Sequence, residues 1–338
     1  MIDMQASHDV KLTAPEISAL WSQYQNDTMA RCVYKYMINI VEDASIRPIL
    51  EFALSLAESH IPKIKEYFTQ EQFPIPHGFT DEDVNSEAPR LFSDEACLMY
   101  TYAMSNSGLG LYADALAISM RKDVRDYFLQ CQNEAVELFN RSLDLLLEKG
   151  FVSKPPFVYP EKDVEFVEKE GFFQELFRGK RPLSSIETTH VFFDVRKVQF
   201  SKSLTMAFAQ TANSREVREF LWRGVEIYGK HIEVFESILS ENQLPQPKSE
   251  EAEITNSTVA PFSDRLMLSH KAFLDSIIVA MYGTAIATCN RPDLIVNYSR
   301  LAEELVQYMK DTRDLMVKHR WLERPPMTEN REALATNK

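Results

Sequence analysis

The sequence predicts an all-α protein built from two related halves. Three observations carry this reading. Glycine is scarce, 9 residues in 338, which disfavours the frequent tight turns of a β fold. Leu, Ala, Glu, Lys and Met, all good helix formers, fill long segments between a few proline clusters. One stretch also occurs twice, as EAVELFNRSLDLLLEKGFVSKPP from Glu134 to Pro156 and ELVQYMKDTRDLMVKHRWLERPP from Glu304 to Pro326. Its Glu, Val, Asp-Leu and Pro-Pro positions recur at a spacing of 170 residues, so a long amphipathic helix ends the same way twice.

Taken in order, Thr13 can cap a first helix, with Pro15 and Glu16 suited to its first turn. Ile17, Leu20, Trp21 and Tyr24 recur at helical spacing, and Met29, Val33, Met37 and Ile40 carry the pattern to about Glu42. Helix two starts near Pro48, sets Phe52, Leu56, Ile61, Ile64 and Phe68 on one face, and ends in the Phe73–Gly78 stretch. A long polar connection then leads to Ser93, the expected cap of helix three, which runs to about Met120. Helix four runs from about Val124 to Lys149. Two hairpins joined by one long crossover is the order of a ferritin-like four-helix bundle. An up-down-up-down bundle is the alternative, if residues 73–91 make a local excursion.

Residues 151–182 read as a proline-rich linker with room for one short helix over 164–177. The pattern then repeats. Glu187 answers Glu16, His231 answers His60, Phe262-Ser263-Asp264 answers Phe92-Ser93-Asp94, and Arg291 answers Arg121. The offset is 171 before the crossover and 170 after it, so the second crossover is one residue shorter. The expected organisation is a first bundle over 1–150, a linker over 151–182, a second bundle over 183–327 and a polar tail over 328–338.

Lys plus Arg number 37 against 50 for Asp plus Glu, a formal charge of −13. Such a chain repels phosphate backbones, so nucleic acid is not an expected partner. Cys32, Cys97, Cys131 and Cys289 stand singly, which points to free buried thiols in a reducing, cytoplasmic setting. The N-terminal residues have no apolar run of the signal-peptide kind. The uncharged stretch from Ala96 to Ala113 carries Thr, Ser, Asn and two Gly, and reads as a buried helix three rather than a membrane span. A helix so apolar is expected to be covered on two sides, by its own bundle and by the other bundle, a protein partner or a second copy of the chain. No nucleotide-binding glycine fingerprint or nucleophile elbow is present.

Several stretches together carry a family resemblance: the opening LTAPEISALW, the crossover HGFTDEDVN…APRLFSD, the link LFRGKRPLSSIE and the segment EVREFLWRG…KHIEVF. They resemble an uncharacterised family of tandem ferritin-like proteins from spore-forming bacilli, catalogued as a domain of unknown function. More distantly the chain resembles ferritin-like spore-coat proteins. The resemblance implies two ferritin-like bundles related by duplication and hints at sporulation or stress. It implies no activity.

Ferritin-like bundles often bind two metal ions, through a Glu on each of two helices and a Glu-x-x-His pair on each of the others. Here His60 and His231 sit on the apolar face of helix two in each repeat, but Ala57 and Tyr228 stand where the paired Glu belongs. Helix four offers Glu134 and Glu304, followed three residues on by Glu137 and Gln307 rather than His. Folding the first hairpin back sets Asp27 level with His60, and its counterpart is Val198. Helix three offers Asn106 or Ser276 at that level. The metal-ligand candidates are therefore His60, Glu134 and Glu137 in the first repeat and His231 and Glu304 in the second, with iron or manganese as the suited ions. This eroded set favours a non-catalytic structural or interaction protein over an enzyme. The competing reading is a metal-binding protein or oxidoreductase, and a third is binding of an apolar ligand between helices. The plain reading of the histidines is a buried hydrogen bond from each to its Glu.

Overall fold

The computed structural model describes residues 11–160, 162–164, 166–167 and 181–336. Eight long helices carry the fold: α1 Ala14–Ile40, α2 Arg47–Gln70, α3 Asp94–Ile118, α4 Lys122–Glu148, α5 Ser185–Thr211, α6 Arg215–Glu241, α7 Asp264–Thr288 and α8 Pro292–Lys318. A short α9, Arg331–Thr336, follows, and one 3-10 turn lies in each crossover, Asp81–Asp83 and Glu251–Glu253. The helix proposed over 164–177 falls largely outside the described residues. The fold is all-α and duplicated. Among the described residues, β structure is confined to isolated pairing between Phe92 and Ile254.

The chain divides into two compact units. The first is Met1–Glu87, Cys97–Glu148 and Arg320–Lys338; the second is Ala88–Ala96 and Lys149–His319.

In the first unit, Glu16 fixes both ends of the arrangement. Its Oε2 accepts the backbone N–H and the hydroxyl of Thr13, each at 2.7 Å, which caps α1. Its Oε1 accepts the backbone N–H groups of Met120 and Arg121, at 2.8 and 2.7 Å, in the turn before α4. Leu20, Tyr24, Ile61, Ile64, Phe68, Phe128 and Cys131 close the core between α1, α2 and α4. α2 continues through Pro62 without a break. The chain then turns at Gly78, whose φ is +62°. A Cβ there would meet Thr28 Oγ1 at 2.7 Å and the Tyr24 ring at 2.9 Å. Glu323 accepts the N–H groups of His77 and Gly78, both at 2.8 Å, and so holds this turn.

In the second unit, Ser184 and Glu187 form the same capping box, with bonds of 3.2 and 2.9 Å. Glu187 Oε1 accepts the N–H groups of Asn290 and Arg291, at 3.1 and 2.9 Å. α5 packs on α6 and α7, α7 packs on α8, and α6 packs on α8. Val195, Tyr228, Phe235, Tyr282, Tyr298 and Tyr308 make this core strongly aromatic. The segment before α3 belongs here: Ser93 N–H donates to Glu253 O and Thr255 N–H to Leu91 O, both at 2.9 Å.

Helix three, expected to be covered on two sides, is unevenly buried within this chain. Its first half is buried at Cys97, Leu98, Met99 and Tyr100. Its second half exposes Asn106, Gly110, Leu111, Ala113, Ala117 and Ile118. α7 likewise exposes Ser276, Ala280, Gly283 and Ala287. Most of these side chains are small, so high mean hydropathy arises without much apolar area to hide. By length and composition alone, α7 is apolar enough to cross a membrane, yet it carries the fully buried His270, Lys271 and Asp275. All four cysteines are buried free thiols.

Candidate metal centre

Asp27 and Gln23 lie one turn apart on α1, His60 on α2, and Gln130, Cys131 and Glu134 within two turns of α4. Helical spacing sets Cys131 and Glu134 on one face, three residues apart. His60 is 4% exposed. Its Nε2 lies 2.8 Å from Glu134 Oε2 and 3.6 Å from Cys131 Sγ. Its Nδ1 faces Asp27 Oδ2 at 3.4 Å, and neither of those two buried atoms makes a hydrogen bond. Gln23 Nε2 donates to Cys131 Sγ at 3.5 Å, and Gln130 Nε2 to Glu134 Oε1 at 2.8 Å. The rings of Tyr112 and Tyr127 stand edge-on to the imidazole, with centroids 6.3 and 6.0 Å away.

The electrostatics match this crowding. Burial opposes a charged imidazole, but Asp27, Cys131 and Glu134 outweigh it and push His60 up to about 12. Burial raises Asp27 above the usual carboxylate range, against the pull of His60. Burial also works to raise Glu134, yet hydrogen bonds from His60 and Gln130 bring it below its ordinary value. His60 Nε2, Cys131 Sγ and a Glu134 oxygen lie within 4.8 Å of one another, a donor set able to hold a metal ion.

The structure thus brings His60 and Glu134 together and sets Asp27 beside them. Glu137 is not brought in: it is half exposed and paired with Arg141 one turn on. α3 presents Tyr112 to His60, and Asn106 faces solvent. Cys131 escaped the sequence reading, which searched for the carboxylate and imidazole ligands of a di-metal bundle. The signal that could have found it is the Cys-x-x-Glu spacing on helix four.

The second unit brings His231 and Glu304 together differently. His231 Nε2 lies 3.3 Å from Glu304 Oε2, and Nδ1 lies 3.0 Å from the Tyr282 hydroxyl. Val198 stands at the place of Asp27 and Leu301 at that of Cys131. With a weaker carboxylate contact, burial dominates and lowers His231 to about 4, so the ring stays neutral. Two further polar groups fill this core. Lys271 pairs with Asp275, which also accepts the Tyr228 hydroxyl, and the Lys271 ammonium sits 3.5 Å from the Tyr308 ring centroid. Asp194, at the place of Gln23, is buried beside Tyr298 and pushed up to about 7 by burial.

A family model described as a protein of unknown function, DUF3231, matches residues 2–164 and again 171–334. No curated protein matches the chain. Among solved structures, that of a candidate spore coat protein from Bacillus halodurans matches with a TM-score of 0.42 and 20% identity, over 45% of this chain and 98% of that one. A likeness of that degree carries no argument about what this chain does.

Proposed function

Because the chain belongs to the DUF3231 family in two tandem copies, we propose that its repeats have divided their roles, the first binding one metal ion and the second serving as a metal-free structural partner. The supporting observation is the donor set of His60, Cys131 and Glu134 in the first repeat, set against Leu301 and Val198 at the matching places of the second. A di-metal oxygen-activating centre needs carboxylates from all sides of the bundle, and α3 presents the Tyr112 ring here. The protein as a whole is a non-catalytic tandem bundle of ferritin-like order, with an ion that braces α2 against α4. A place in spore or stress biology rests on family resemblance alone.

The second repeat favours the plain reading of its histidine. His231 is neutral, and both ring nitrogens have partners in Tyr282 and Glu304, which satisfies a buried imidazole without an ion.

Elemental analysis of untagged protein purified without chelator tests this, with His60→Ala and His231→Ala alongside. Near-stoichiometric metal that His60→Ala abolishes and His231→Ala keeps is the expected result. Wild-type protein that is metal-free and takes up no added zinc, cobalt, manganese or iron would overturn the reading.

A further inference from the structure

Resting on that metal-binding reading, we infer that the ion is of the zinc class, a borderline thiophilic divalent cation, bound by His60 Nε2, the Cys131 thiolate and Glu134 Oε2. Iron and manganese, the ions that the bundle order alone suggests, are not the fit. Asp27 is then a positioning residue that grips the far side of the imidazole.

The geometry of one pair supports the class. A tetrahedral centre with a metal–sulfur bond of about 2.3 Å and a metal–nitrogen bond of about 2.0 Å separates sulfur from nitrogen by about 3.5 Å. Cys131 Sγ and His60 Nε2 lie 3.6 Å apart. Glu134 Oε2 lies closer to Nε2, at 2.8 Å, where it shares a hydrogen bond. Its side chain is 21% exposed, so it can swing outward by the half ångström or so that a tetrahedral ligand needs.

The chemistry of the donors points the same way. Thiolate ligands select zinc-like and softer ions, while manganese and magnesium prefer oxygen-rich octahedral shells. Binding replaces the thiol proton of Cys131, which leaves to solvent, so that the sulfur binds as thiolate. It also displaces the Nε2 proton of the charged imidazole to solvent, which leaves the one ring hydrogen on Nδ1.

Each ligand then has a neighbour suited to its bound form. Nδ1–H of His60 faces Asp27 Oδ2 at 3.4 Å, the carboxylate–imidazole–metal pattern that fixes a histidine ligand. Gln23 donates to Cys131 Sγ at 3.5 Å, a contact the bound sulfur can keep. Gln130 holds Glu134 Oε1 at 2.8 Å and leaves Oε2 for the ion. Asp27 is not itself a ligand, since it sits on the opposite ring edge from the sulfur. All three supporting residues change in the second repeat, to Asp194, Val198 and Arg300.

The test titrates metal-stripped full-length protein with zinc, cobalt(II), manganese(II) and, anaerobically, iron(II). Zinc and cobalt should bind far more tightly than manganese or iron. The cobalt complex should show a thiolate-to-metal charge-transfer band that Cys131→Ser removes. Asp27→Asn should weaken zinc binding by about 10–100-fold while the saturated cobalt complex keeps its thiolate-to-metal band, since the sulfur ligand remains. Should Cys131→Ser fail to fold, alkylation of the wild type followed by mass mapping replaces it. Zinc should then shield Cys131 and leave the reactivity of Cys32, Cys97 and Cys289 unchanged. Tighter binding of manganese or iron, a charge-transfer band that survives Cys131→Ser, or no shielding of Cys131 would overturn the zinc assignment and leave metal binding standing. No uptake of any of the four ions would remove both.

Discussion

The Glu16 carboxylate accepts the backbone N–H of Arg121 at 2.7 Å. One side chain in the first turn of α1 thereby satisfies the turn before α4, and Glu187 does the same with Arg291 at 2.9 Å. Truncating either residue strands two amides and removes a cap. Glu16→Ala and Glu187→Ala should each destabilise their own unit by about 2–4 kcal/mol. Chemical denaturation followed by a probe in each unit measures this. Glu187→Ala should be the worse of the two, because Arg181 loses its bidentate partner at 2.7 and 2.8 Å.

The same carboxylate gives a pH signature. Burial acts to raise Glu187, but Arg181 and the backbone N–H groups overcome it and hold it down to about 2, against an ordinary 4.5. A depressed folded value means stability that is fully present above about pH 4.5 and lost as pH falls towards 2. Glu187→Gln should flatten the acid limb of the second unit's melting profile in that window. An unchanged limb would show that other carboxylates govern acid unfolding.

Asp194 has the opposite sign. Burial raises it to about 7 from an ordinary 3.8. Relative to the unfolded chain, its contribution is most favourable below about pH 3.8 and is lost as pH rises through about 7. Asp194→Asn should therefore raise the melting temperature of the second unit at about pH 8, have less effect at pH 5, and none below pH 4. Scanning calorimetry across that range is the check.

Lys271 and Asp275 form a fully buried pair where the first repeat carries Thr101 and Ser105. Removing one partner leaves a buried charge, so Lys271→Thr alone should cost about 3–5 kcal/mol. The double change Lys271→Thr/Asp275→Ser should recover much of that loss, because no unpaired charge remains. A double variant as unstable as the single one would show that packing on Tyr308, not charge, dominates.

Gly78 is at positive φ and has no room for a Cβ against Thr28 and Tyr24. Gly78→Ala should destabilise the first unit by about 1–3 kcal/mol. Glu323→Ala, which frees the N–H groups of His77 and Gly78, should act on the same unit. A double-mutant cycle should show the two effects to be coupled.

Much of this was legible in the chain itself. The helix start at Thr13 announced itself by capping chemistry, its counterpart by Glu187 answering Glu16, and the duplication by register. Asp27 could be set level with His60 by equal rise along an antiparallel pair, because a short link leaves little freedom there. Helix three could not be set level in the same way. Its register depends on how the long crossover runs, and so Tyr112 took the place expected for Asn106. Cys131 was hidden for a chemical reason, since an isolated cysteine on an apolar face reads as core until a histidine and a carboxylate are seen beside it. The exposed face of helix three shows the limit of hydropathy, which counts alanine and glycine as apolar though they have little area to bury.

The composition of the two units bears on inheritance. Ala88–Ala96 precedes α3 of the first repeat but belongs to the second unit, and Arg320–Lys338 follows α8 of the second repeat but belongs to the first. A deletion that removes either half therefore removes part of what survives. Duplication usually leaves one copy spare, free to decay. Here each unit draws on both copies, so the copy that lacks the aspartate and the cysteine cannot be removed without cost to the other.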